Sequence, residues 1–150
     1  PQKNPRLFNS IAECCPDIQF VWVGDGEEAS YLTSPNITVT GLVDRESLLK
    51  ITVNFDCYLS CAKWEGLPVA LLEAMYLEKE CIVSNVAGNK DLINDGQTGF
   101  IAYDKNDYIE LIYRVKTKKI QCGKYACEKV INEYSMKSMC DGYRELYRLV

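Results

Sequence analysis

The sequence has no histidine among its 150 residues. That removes the commonest general base and every mixed Cys/His zinc site. Long hydrophobic runs are missing too: no stretch reaches the roughly 18 apolar residues of a membrane span. Positive charge is the minority, with 17 Lys and Arg against 21 Asp and Glu. A net charge of −4 argues against a general nucleic-acid binder. There is no CxxC pair, and neither a signal peptide nor a transit segment is expected from these residues. The chain opens at Pro1 in a polar phrase without Met, which reads as an excised piece of a longer protein.

What is present is ordinary globular composition, 47% hydrophobic and 25% charged. A chain of this length buries about 70% of its unfolded surface, so one domain over 1–150 is expected. Eight cysteines are present. Cys57 and Cys81 sit in apolar runs, where thiols act as small hydrophobes. Reduced thiols in a cytosolic protein are the expected state.

Apolar periodicity sets the element order. Asn4-Pro5 predicts a helix start, Asn as cap and Pro at the first helical position. Leu7, Phe8, Ile11 and Ala12 form its stripe, and Pro16 stops it. Strands are predicted at 18–23, 37–39, 55–60, 81–86 and 99–103. Helices are predicted after the Asp44 cap, with Leu48, Leu49 and Ile51, and at 67–77, 105–117, 120–133 and 135–149. Strands alternating with helices indicate a parallel α/β sheet with helices on both faces. Glycines 24, 26, 41, 66 and 88 fall just past strands, where such sheets place ligands. The aromatics, ten of them Tyr, read as packing groups. Five of the eleven residues from Arg114 to Lys124 are basic; a solvated helix end or a membrane-surface patch would account for them.

The informative stretch runs from Trp64 to Met75. It holds two glutamates, Glu65 and Glu73, eight apart. Twelve glutamates in the chain give about one such pair by chance, so the surroundings must decide. From Gly66 to Leu77 the only charged side chain is Glu73, and the helix is apolar nearly all round, which predicts burial. A lone carboxylate there needs a partner. Strand, glycine turn and helix N-terminus together form an anion site, with the N–H groups of Gly66, Leu67 and Val69 free and Pro68 donating none. A carboxylate just inside such a site suits a vicinal diol, so a nucleotide is the physical reading: phosphates on the helix start, ribose on Glu73. The alternative is that Glu73 bonds a neighbouring backbone N–H or an arginine.

These residues carry a family resemblance. Glu65-Gly-Leu-Pro-x-x-Leu-Leu-Glu73-Ala-Met resembles the E-x7-E signature of retaining family-4, group 1 glycosyltransferases of the GT-B fold. Val21-Trp-Val-Gly-Asp-Gly-Glu27, Val39-Thr-Gly-Leu-Val43, Cys81-Ile-Val-Ser84 and Asn94-Asp-Gly-Gln-Thr-Gly-Phe100 are similar to further stretches of its C-terminal domain, in order. Gln2-Lys-Asn-Pro5 is similar to the end of that domain's opening motif. The resemblance implies a Rossmann-like parallel sheet flanked by helices, one half of a GT-B enzyme. It implies a donor-binding domain that moves a sugar from a nucleoside-diphosphate sugar (UDP-, GDP- or ADP-linked) to an acceptor hydroxyl with retention, in polysaccharide or glycolipid assembly.

By the same resemblance Glu65 contacts the donor sugar at the reacting centre. Glu73 holds the ribose, and Lys3 neutralises the diphosphate. Gly66 and Leu67 offer N–H groups, Val43 lies against the base, and Gly24 lines the cleft. No cofactor and no metal ion is implied. The acceptor, a glycan or a lipid-linked glycan, would be met through an N-terminal domain not in this chain. The implied location is cytoplasmic, with the inner face of the membrane as its periphery. The chain departs from the pattern in three places. The family Arg before Lys3 and the domain's first strand are not in the chain, Ala87-Gly88 replaces Gly-Gly, and Asp91 replaces Glu. Turnover by this chain alone is not expected. The alternatives are a GT-B-type sugar-nucleotide epimerase and a non-catalytic α/β binding module.

Overall fold

The computed structural model describes residues 2–148. The chain begins with helix α1 (Pro5–Cys14), strand β1 (Phe20–Trp22), a 3-10 turn (Glu27–Tyr31) and strand β2 (Ile37–Val39). Helix α2 (Arg45–Val53), strand β3 (Cys57–Ser60), helix α3 (Val69–Tyr76), strand β4 (Glu80–Ser84), helix α4 (Ala87–Leu92) and strand β5 (Phe100–Ala102) follow. Helices α5 (Lys105–Lys116), α6 (Gly123–Glu133) and α7 (Met136–Arg148) complete the chain. Short α4 and the 3-10 turn are not expected from the sequence; β2 has its expected span, β4 begins one residue early and ends two early, and the other strands are shorter than expected.

Every strand pair is parallel, in two groups: β1 with β2, and β3–β4–β5 with β4 central. Central β4 alternates between two cores. Ile82 points into a cluster with Phe8, Ile11, Phe20, Phe100 and Tyr108. Cys81 and Val83 point into another with Leu71, Met75, Ala126 and Val130. The sheet therefore has helices α1 and α5 on one face and α3 and α6 on the other. Two covered faces explain the uninterrupted apolar strands.

Helices α2 and α5 are capped by their own N-cap side chains. Asp44 accepts from Ser47 N–H at 2.9 Å, and Asp104 with Asp107 forms a reciprocal capping box on α5. Asn4 does not cap α1 with its side chain. It takes a left-handed φ of 55°, which Asn tolerates, and its carbonyl accepts from Leu7 and Phe8 N–H. Glu80 anchors α6 from β4, its carboxylate accepting from Cys122 and Gly123 N–H.

Two expectations about burial are corrected. Helix α3 is covered on one side only: Leu71, Ala74 and Met75 are buried, but Val69 and Tyr76 are about 60% exposed. Six of the ten tyrosines are exposed, so packing does not account for them. In the basic stretch, Lys116 pairs with Asp17, and Arg114 with Glu110 at 4.0 Å. Among the described residues no helix is long and apolar enough to cross a membrane.

Candidate functional site

Glu65 follows β3 and is the most constrained acid at the strand ends. Its side chain is 7% exposed. Lys3 Nζ donates to Oε1 at 2.6 Å, and Gln2 Nε2 donates to Oε2 at 3.3 Å. Gln2 also donates to the Trp64 carbonyl at 3.0 Å and accepts from Lys63 N–H at 2.8 Å. The segment before α1 is thus tied across the end of β3. Lys3, expected as a cation for the diphosphate, spends its charge here on Glu65, with its stem 56% exposed.

Next to Glu65, Gly66 and Leu67 are exposed. Among the described residues the N–H groups of Gly66, Leu67 and Val69 have no acceptor in the chain. They stand at the positive end of α3. Gly88 in α4 packs on this loop. A Cβ at position 88 would sit 2.1 Å from the Gly66 carbonyl oxygen and 2.8 Å from that of Glu65. Position 88 therefore demands glycine, whereas Ala87 is exposed. The Ala87-Gly88 departure leaves the close approach intact. Behind the contact, fully buried Asn89 donates to the carbonyl and hydroxyl of Ser84, and Ser84 donates to the Ala62 carbonyl at 2.6 Å. This brace fixes the β3–α3 loop against the β4–α4 corner.

Glu73 is half-buried, on a helix that is covered on one side rather than all round. Its side chain is 29% exposed, and Oε1 lies 3.4 Å from an Arg45 guanidinium nitrogen. Arg45 opens α2, two residues after Val43, and is 80% exposed. The base-facing stretch and the expected ribose acid are thereby brought together. Gly24, at a φ of +119° that favours glycine, donates to the Gly41 carbonyl at 3.0 Å. That bond ties the ends of β1 and β2. Asp91 is exposed, its carbonyl accepting from Tyr134.

Two partners of the paired acids are not singled out by the sequence: Gln2 is there only a letter of the opening motif, and Arg45 carries no expectation. Both partners lie far along the chain, and no local pattern announces them. Burial pushes the thiols of Cys57 and Cys61 up to about 12, so neither is a nucleophile at neutral pH.

The fold is that of the sugar-transferring half-domains expected above, and the chain matches the model described as Glycosyl transferases group 1 over residues 5–117. The chain belongs to that family. It is 32% identical over 167 residues to the UDP-Gal:alpha-D-GlcNAc-diphosphoundecaprenol alpha-1,3-galactosyltransferase of Escherichia coli, covering 98% of this chain and 42% of that protein. It is 33% identical over 159 residues to the trehalose synthase of Thermococcus litoralis, covering 93% and 39%. Among solved structures, HepE of Anabaena in complex with UDP-glucose superposes with a TM-score of 0.85 at 15% identity, over 100% of this chain and 46% of that one. A TarM variant of S. aureus, in complex with fondaparinux, alpha-GlcNAc-glycerol and UDP, gives 0.86 at 21%, over 98% and 33%. The chain spans about two fifths of the length of the curated relatives it matches.

Proposed function

We propose that this chain is the donor-nucleotide domain of a glycosyltransferase that moves a sugar from a nucleoside-diphosphate sugar to an acceptor hydroxyl with retention. The observation that carries the reading is the Glu65 corner. A nearly buried carboxylate is held by two donors beside free helix N–H groups, on a loop that Gly88 fixes. A site prepared in this way suits a sugar hydroxyl on Glu65 and phosphate oxygens on the N–H groups of Gly66 and Leu67. Lys3 would exchange Glu65 for the diphosphate and offset the charge that grows as the glycosidic bond breaks. That charge is assigned to Lys3 and the helix N–H groups rather than to a metal ion. Val43 and Gly24 would border the nucleoside.

The acceptor would be met by a second domain of the full-length protein. The E. coli relative's name, with its diphosphoundecaprenol acceptor, supports a lipid-linked glycan. A cytoplasmic enzyme working at the inner face of the membrane fits that acceptor.

One observation favours a second reading, in which Glu73 is a structural partner of Arg45. Magnitudes decide between them. An exposed ion pair of this kind contributes about 0–1 kcal/mol, whereas each hydrogen bond from a ribose hydroxyl to a carboxylate is worth about 1–3 kcal/mol. A carboxylate also has lone pairs to spare for both. The test is titration of UDP, GDP and ADP into the chain, followed by backbone chemical shifts. Shifts at Gly24, Gly66 and Glu73 with one nucleotide are expected, and Glu73→Gln should weaken that binding by about 1–3 kcal/mol per lost bond. Silence at all three residues with every nucleotide overturns the reading.

A further inference from the structure

We infer that Gln2 is a positioning residue for Glu65: its amide keeps that carboxylate in place once Lys3 is drawn to the diphosphate. The inference rests on the donor reading above. The two donors on Glu65 are chemically unlike. Lys3 is an ammonium on a flexible, 56% exposed stem, and an incoming diphosphate competes with Glu65 for it. Gln2 carries a neutral amide, for which a dianion competes far less strongly.

Gln2 is also anchored independently of any charge. Its side-chain amide donates to the Trp64 carbonyl at 3.0 Å, and its backbone carbonyl accepts from Lys63 N–H at 2.8 Å. Immediately behind it, the left-handed turn at Asn4 leads into α1, whose Phe8, Ile11 and Ala12 are core residues. The backbone of Gln2 is therefore held on both sides, and its amide is steadied by the Trp64 carbonyl while it reaches Oε2. A carboxylate only 7% exposed that lost every donor would be left desolvated and free to change rotamer. The Gln2 amide keeps one oxygen satisfied and the other free for a sugar hydroxyl.

The experiment is calorimetric titration of UDP against UDP-glucose, and of GDP against GDP-mannose, into the chain. The quantity read is the affinity ratio of sugar nucleotide to bare nucleotide, for the pair that binds more tightly. Gln2→Ala is expected to lower that ratio about fivefold, the effect of one hydrogen bond, with bare-nucleotide affinity held within twofold. Gln2→Met, which keeps the stem without the donor, should do the same and guards against a folding failure. In a Glu65→Gln background the effect of Gln2→Ala should vanish, because both act on one contact.

Equal losses for both ligands, additive losses with Glu65→Gln, or an unchanged ratio each overturn the role of Gln2 and leave the donor reading standing. A ratio that Glu65→Gln does not move overturns the assignment of Glu65, and the role of Gln2 with it. A chain that binds none of the four ligands, nor ADP, overturns the donor reading itself.

Discussion

The β3–β4–β5 group and the β1–β2 group build two sides of one site from different material. Cys81, Ile82 and Val83 of β4 are fully buried, and the loops leaving that group are braced by Ser84, Asn89 and Gly88. Strand β2 is half-exposed, Val39 at 40%, and α2 has no buried residue. The end proposed for the sugar and diphosphate is thus set on a rigid corner. The end proposed for the nucleoside, with Val43 and Arg45, rides on a thin layer. Rigid placement suits the groups that meet reacting atoms, and loosely packed elements are where local opening is cheapest.

The largest expected break of this contrast is in the core. Ile82→Ala should lower stability by about 2–5 kcal/mol, whereas Leu49→Ala on α2 should stay within about 0.5 kcal/mol. Denaturant unfolding checks both, and equal losses would erase the distinction. Gly88→Ala comes next. The clash with the Gly66 carbonyl should cost about 1–3 kcal/mol and shift the backbone resonances of Glu65 and Gly66 while leaving α2 unmoved. Asp44→Ala should cost about 1 kcal/mol and raise amide exchange in the first turn of α2 without touching the Glu65 corner.

The smallest expected effect is at the surface, where Lys116 and then Tyr113 hold the Asp17 carboxyl down at about 2. A folded value below the unfolded one means stability that is present above pH 4 and lost as pH falls from about 3.8 toward about 2. Asp17→Asn should flatten the pH dependence of thermal unfolding in that window. An unchanged slope would show the contact to be idle.

Element order, the parallel sense of the strands and the Glu65–Gly66 turn were legible in the sequence. Apolar strands between glycines and amphipathic helices leave few other arrangements. The all-round burial expected of α3 does not hold, because the helix is apolar all round in composition but covered on one side only. Its exposed side belongs to residues such as Val69 and Tyr76, and composition does not say which neighbours arrive. Gln2 and Arg45 were missed for a related reason. Gln2 meets Glu65 across 63 positions, and Arg45, at the start of α2, meets Glu73 of the later helix α3.

The order of residues alone determined the kind of fold and pointed to Glu65 and Glu73 as candidates, because apolar periodicity and the apolar surroundings of an acid are local properties. Which cation each acid holds, how deeply each is covered, and why position 88 must be glycine were decided only by tertiary structure. Those facts arise where backbones distant in sequence come within a few ångströms, and no local pattern encodes that approach.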